Sequence, residues 1–250
     1  MKENINIIQA NIHNLISLWQ RAAAPLKGCF ETNEFSFCYI EHSDWPNRLW
    51  FEQEIAENSV EAAKNHICST SQNLLIPYWD IYNSTSHEIL EAAGFNAKSV
   101  QIGMSLKLNK QYKKDFVLSF ERVFNVNEAN RWTEVYPTAF GYRISQEILL
   151  KSFDEIEFYL ASHRGQPVGT AIIYQTGDVV GVHGVGIIPE MRRQGFAEEM
   201  MEFILDRSVS LKASYVTLQA SIMGKGLYDK LGFREDFTIK NYVLDQEGQL

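Results

Sequence analysis

The stretch GIIPEMRRQGFAEEM, Gly186 to Met200, decides the fold. An apolar, strand-like run stops at Pro189. Two arginines, a glutamine and a glycine follow. Phe196, Met200, Ile204 and Leu211 then recur at helical spacing, with Ala197, Met201 and Leu205 beside them. A helix start leaves backbone N–H groups without partners and carries partial positive charge. Gly195 lets a ligand approach the main chain, and Arg192 and Arg193 add full positive charge. Together these features suit a phosphate or pyrophosphate. Neither G-x-x-x-x-G-K-[ST] nor G-x-G-x-x-G is present. Glu198 and Glu199 offset part of the charge, and a solvated turn with a capping glycine would explain the same residues.

Outward from this turn, the second half reads as alternating strands and helices. Phe116–Phe124 is strand-like, and NEANRWTEVYPTAF and SQEILLKSF are helical. IEFYLASH and PVGTAIIYQ are strands around the turn RGQ, and Val179–Ile188 is a further strand. After the helix come the strand YVTLQA, the helix GKGLYDKLG and the strand FTIKNYVL. The expected fold class is α/β in the α+β sense, a mixed, mostly antiparallel sheet flanked by helices.

The first half shows the same parts in weaker form. IIQANIHNLISLWQRAAA and SVEAAKNHICS are helical; FSFCYIEH, RLWFEQE and NLLIPYW are strand-like, with SDWPN as a turn. His87–Leu108 parallels Lys225–Leu244: a short helix closed by Gly94-Phe95 or Gly232-Phe233, a loop and an alternating strand. Nine residues separate that Phe from Met104 in one copy and from Tyr242 in the other. A tandem duplication is expected, with units 1–110 and 111–250 and Leu108–Asp115 (LNKQYKKD) as linker. The first copy lacks the basic glycine turn.

Composition limits the function. Of 250 residues 45% are hydrophobic and 22% charged, an ordinary globular balance, and the net charge is −8, which argues against a general nucleic-acid binder. Three cysteines, Cys29, Cys38 and Cys68, lie outside any metal or C-x-x-C spacing, so no metal site is expected and a reducing compartment is. The polar N-terminus suggests no secretory leader, and no apolar run reaches the about 20 residues of a membrane span. The expectation is a cytoplasmic protein without nucleic-acid or membrane partners; a homodimer is compatible with it.

Val182–Phe233 resembles the GCN5-related N-acetyltransferases (GNAT). Their signature turn R/Q-x-x-G-x-G/A corresponds to Arg192-Arg193-Gln194-Gly195-Phe196-Ala197, and their Leu-Tyr on a short helix closed by Leu-Gly-Phe corresponds to LYDKLGF, Leu227 to Phe233. The likeness extends over 115–244, whereas the first half resembles the fold only in outline and has Leu90 where the second has Tyr228. The resemblance implies the GNAT fold and acetyl-coenzyme A as co-substrate. Its pyrophosphate would lie on the backbone amides from Arg193 to Glu198, and its pantetheine arm along Val185, Gly186 and Ile187, where that strand splays from the one starting at Tyr215.

The same resemblance implies direct acetyl transfer to a primary amine in a ternary complex. Tyr228, with an ordinary pKa of about 10, is the expected acid for the leaving thiolate, and a backbone N–H near Ile187 the expected oxyanion donor. His183 shares strand parity with Val185 and Ile187 and is the candidate base. Gly181 stands where some members carry a glutamate base. Trp132, Tyr136, Phe140 and Tyr142 either line an acceptor pocket or pack the core. A coenzyme A-binding sensor with little catalysis is the alternative.

Overall fold

In the computed structural model the described residues are 6–70, 72–109 and 115–244; Lys110 to Lys114 of the expected linker lie outside them. The first half contains α1 (Ile7–Ala23), β1 (Cys29–Glu31), β2 (Ser36–Cys38), β3 (Arg48–Trp50), α2 (Glu57–Thr70), β4 (Ile76–Asp80), α3 (His87–Ala92) and β5 (Phe95–Lys107). The second contains β6 (Ser119–Arg122), α4 (Val126–Phe140), α5 (Gln146–Ser152), β7 (Glu157–His163), β8 (Gln166–Thr176), β9 (Val179–Ile187), α6 (Phe196–Ser210), β10 (Tyr215–Ser221), α7 (Lys225–Leu231) and β11 (Arg234–Leu244). The expected helices and strands are there; the short β1 is an addition.

Local chemistry sets the boundaries. Asn125 caps α4 by accepting the Glu128 N–H at 3.1 Å, and left-handed Gly141 ends that helix. Arg164 and Gly165, both at positive φ, make the tight turn between β7 and β8. Gly94 and Gly232 share φ +92° after α3 and α7, as the sequence parallel requires.

Eight strands form one sheet in the order β4-β11-β5-β10-β9-β8-β7-β6, and β1-β2-β3 form a small second sheet. Within the large sheet only β9 and β10 run parallel. The two halves exchange their last strands. β5, from the first half, lies between β10 and β11; β11, from the second, lies between β4 and β5. β5 and β11 pair antiparallel from Arg234↔Ser105 to Leu244↔Phe95, so the sheet is continuous across the middle of the chain.

The exchange explains the matching Phe-to-large-residue spacing. Met104 is fully buried in the core of the second half, with Val182, Met200 and Leu218. Tyr242 is fully buried in the core of the first half, with Leu49, Ile76, Leu90 and Phe95, and its hydroxyl donates to Glu91 at 2.7 Å. Each half supplies one large side chain to the other's core.

Helix α1 locks the exchange. Its stripe Ile7, Ile12, Leu15, Leu18 and Ala22 is buried, and so are Asn11 and Asn14. Asn11 Nδ2 donates to Met104 O (3.2 Å) on β5 and to Leu218 O (3.4 Å) on β10, two residues that face each other in the register. Asn14 Nδ2 donates to Tyr174 O on β8 at 3.0 Å. Buried amides are costly unless bonded, so these contacts fix the helix over one position of the sheet.

Because each half's core is completed by the other, Met104→Ala and Tyr242→Ala are each expected to destabilise the whole molecule by about 2–5 kcal/mol. Denaturant unfolding followed by far-UV circular dichroism should show a single transition in both variants. Loss of one half while the other stays folded would contradict the exchange.

Candidate functional site

The centre of the site is the second half of β9. In the β8–β9 register Thr170 faces Gly186 and Ile172 faces His183, so Gly184 and Val185 together oppose Ala171 and form a β-bulge. Gly184 has φ +54°, and a Cβ there would press on Ile172 and Tyr136 at 3.1–3.2 Å. On the other edge, pairing with β10 stops at Leu218↔Val182. From His183 onward β9 diverges from β10, and Val185, Gly186 and Ile187 turn one backbone edge toward a cleft. A ligand with amide groups can pair along such an edge as an added strand.

At the end of β9, a single helical turn, Pro189–Met191, leads to Arg192 and then to Arg193 and Gly195 in left-handed conformation (φ +61° and +84°). Gly195 is the N-cap of α6 and offers no side chain to its N–H groups, and a Cβ built on it would meet nothing within 4 Å. The first turn of α6 is therefore open to an incoming anion. The arginines divide the work. Arg192 Nε donates to Ile187 O (3.0 Å) and its Nη2 to Ala139 O (3.4 Å), tying the end of β9 to the end of α4. Arg193 is exposed and has no side-chain partner among the described residues. Gln194 is exposed as well, and Phe196 is buried against His163, so only its backbone belongs to the turn. Ala197 packs beside the second-half core.

Glu198 and Glu199 do not oppose an anion there. Glu198 is paired with Lys230 at 2.6 Å, and Glu199 accepts the Leu118 N–H at 2.7 Å. The corresponding connection in the first half, residues 51–56 between β3 and α2, carries Glu52 and Glu54 and no cation, and Glu52 accepts Trp50 Nε1 at 2.8 Å.

Tyr228 on α7 and His183 on β9 line one cavity of about 730 Å³. The Tyr228 ring packs edge-on against Phe233, centroids 5.8 Å apart. Burial pushes its hydroxyl up to about 12, so it stays protonated and can donate. His183 Nδ1 lies 3.1 Å from Gln219 Oε1, and Nε2 lies 3.2 Å from Asn14 Oδ1. Both amides are oriented from behind: Gln219 Nε2 donates to Asn11 Oδ1 (2.6 Å) and Asn14 Nδ2 to the Tyr174 carbonyl. Both ring nitrogens thus lie against amide oxygens, and a neutral ring, with a single N–H, donates to one of them. Burial pushes the imidazole down to about 4, while the Gln219 oxygen pulls the other way. At Gly181 a Cβ would overlap Asn14 Oδ1; the space of a side chain at that position is filled by α1.

The aromatic candidates separate. Trp132 is core, with its indole N–H donated to Tyr159 O at 3.0 Å. Tyr136, Phe140 and Tyr142 line the cavity, and the Tyr136 and Tyr142 hydroxyls bond at 2.5 Å. The opposite wall comes from the first half: Trp19 and Leu18 on α1, Trp45, Arg48 on β3, and Trp79 on β4. The sequence carries no signal for these residues or for the Asn11–Gln219–His183–Asn14 chain, since neither lies in a local motif.

Residues 123–233 match the family model described as "Acetyltransferase (GNAT) family". No curated protein matches the chain. Among solved structures, a GCN5-related N-acetyltransferase from Kribbella flavida is similar at 16% identity with TM-score 0.71, over 98% of this chain and 96% of that one. One from Sphaerobacter thermophilus is similar at 14% identity with TM-score 0.64, over 87% and 79%. A functionally unknown conserved protein from Staphylococcus epidermidis is similar at 18% identity with TM-score 0.62, over 86% and 92%. The fold is that of these structures, first half included.

A histidine held near 4 in the fold and near 6.5 when unfolded binds its proton more readily in the unfolded chain. Its contribution to stability is complete above about pH 6.5 and is lost as pH falls toward 4, on the order of 1–3 kcal/mol for this half-buried ring. Urea midpoints measured between pH 7 and 4 should fall more steeply for the wild type than for His183→Gln. Equal slopes would show that the ring is not held neutral.

Proposed function

We propose that the protein is an acetyltransferase that moves the acetyl group of acetyl-coenzyme A to a primary amine. The observation that carries this reading is the conjunction of an uncapped, acid-neutralised α6 N-terminus just after β9 with the splay of β9 from β10, where Gly184 and Val185 line the same cavity as Tyr228. The residues fit the co-substrate. The amides from Arg193 to Glu198 and the Arg193 side chain would hold its pyrophosphate, and the β9 edge at Val185–Ile187 would pair with its pantetheine arm. The first half, with acidic residues in the matching connection, has no such seat, so the reading gives one nucleotide site per chain.

Bound acetyl-coenzyme A supplies an activated thioester. The amine nitrogen attacks the carbonyl carbon, the C–S bond breaks, and the amine's proton leaves to solvent. A backbone N–H of β9 near Ile187 stabilises the carbonyl oxygen as it gains charge. Tyr228 gives its proton to the departing thiolate and regains one from solvent. In this reading His183 shapes the wall beside the bulge and takes no proton from the amine, because burial disfavours its protonated form and makes it a weak base for an ammonium group.

Gly195→Glu is expected to abolish acetyl-coenzyme A binding in calorimetry, since the carboxylate would occupy the open space in front of the α6 amides. Unchanged affinity in a folded variant would remove the pyrophosphate assignment. Tyr228→Phe keeps the ring and loses the proton donor. Turnover, followed as free-thiol release, should fall on the order of 10²–10⁴ with cofactor affinity little changed. Unaltered turnover would return Tyr228 to a packing role, and cofactor binding without turnover on any amine would favour a sensor.

A further inference from the structure

Arg48 is a charged feature of the cavity that acetyl transfer does not use. It stands at the start of β3, bridged in parallel to Leu75, with its side chain on the cavity wall. A guanidinium has five N–H donors. Here one bond is made, Nη1 to the neighbouring Asn47 O at 2.9 Å, and no carboxylate pairs with it among the described residues. The other charged residues on the wall, Asp44 and Lys98, are exposed. Asp44 is also engaged, accepting the Arg143 N–H at 2.7 Å. Burial weighs against the Arg48 charge, and the Tyr142 and Tyr136 hydroxyls favour it. An arginine remains protonated under such conditions, so the cavity holds a cation short of acceptors.

Its position relative to the bulge matters. Tyr136 borders Gly184 with its ring and bonds to Tyr142 through its hydroxyl. Arg48, both tyrosines and the bulge line the same cavity, so the guanidinium and the bulge face one space. The wall is mixed: Leu18, Trp19, Trp45, Trp79 and Ile239 give it an apolar portion, and Asn73, Gln101, Gln219 and Asn241 a polar one.

We infer that the acceptor is an amino acid with an apolar side chain, its carboxylate held by Arg48 and its amine presented at the β9 bulge. The inference rests on the acetyl-transfer reading for the placement of the amine. One half-buried guanidinium matches one carboxylate in charge and in its forked geometry. A phosphoryl amine would bring a second negative charge with no second cation inside to meet it. The tryptophans receive the side chain.

The test is a binding titration that needs no turnover. Fluorescence of the cavity tryptophans is followed while leucine, methionine and phenylalanine are added, each beside its decarboxylated amine and beside O-phosphoserine. At least one amino acid should bind roughly tenfold to hundredfold more tightly than its amine, the range for a hydrogen-bonded charge. The preference should vanish in Arg48→Met and shrink in Arg48→Lys, with circular dichroism and melting confirming the fold. If Arg48→Met does not fold, Arg48→Lys carries the comparison. The proposal is overturned if no amino acid binds, if the amines or O-phosphoserine bind as well, or if the preference survives loss of Arg48. Selective amino-acid binding without acetyl-coenzyme A binding would refute the acetyl-transfer reading and leave the carboxylate site standing.

Discussion

The antiparallel pairing of β5 with β11 is the constraint on which the rest depends. It joins two units whose sheets would otherwise end in open edges, a state that invites association with other chains. By interposing each final strand in the other unit's sheet, it fixes the distance and orientation between β3 and β4 of one half and the splayed β9–β10 of the other. The cavity is lined from both. Neither unit alone would enclose it: Tyr228 and the bulge come from one half, and the tryptophans and Arg48 from the other.

The turn before α6 shows how a protein of net charge −8 keeps negative charge away from one helix N-terminus. The two acidic residues in the first helical turn look unfavourable in sequence, and each is drawn aside, Glu198 to Lys230 and Glu199 to the Leu118 amide. Arg192, the residue that looks most like a ligand for phosphate, instead braces Ile187 and Ala139. What faces outward is a row of amides and Arg193. The site works through removal of competing charge as much as through addition of positive charge.

Much of this was legible in the sequence, and the limits follow from where each signal resides. Helical period, the Gly94 and Gly232 caps and the Arg192–Ala197 turn are local, so the second half's element order and the open turn before α6 could be read directly. The parallel Met104 and Tyr242 positions hinted at repetition and said nothing of exchange, because a strand's sequence does not name its neighbour. The surroundings of His183 were hidden for the same reason. Parity put its side chain on the side of Val185 and Ile187, but the bulge after His183 resets the alternation: Val185 and Ile187 pack toward the α6-side core, while His183 faces α1 and its nitrogens meet groups from α1 and β10. Arg48 reads as one more polar residue after a turn, and only the three-dimensional lining shows that it lacks a carboxylate.

The burial of Tyr242 in the first-half core has a consequence for synthesis. A ribosome releases the chain from its N-terminus, and domains generally fold as they emerge. Here the pocket formed by Leu49, Ile76, Leu90 and Phe95 waits for a side chain from β11. Until β11 has been made, the nascent first half carries an unfilled apolar slot and an unpaired strand, the features that holding chaperones recognise. Its maturation is therefore timed by synthesis of the second half, and a ribosome stalled before β11 would leave a segment that is fully translated and still unable to close.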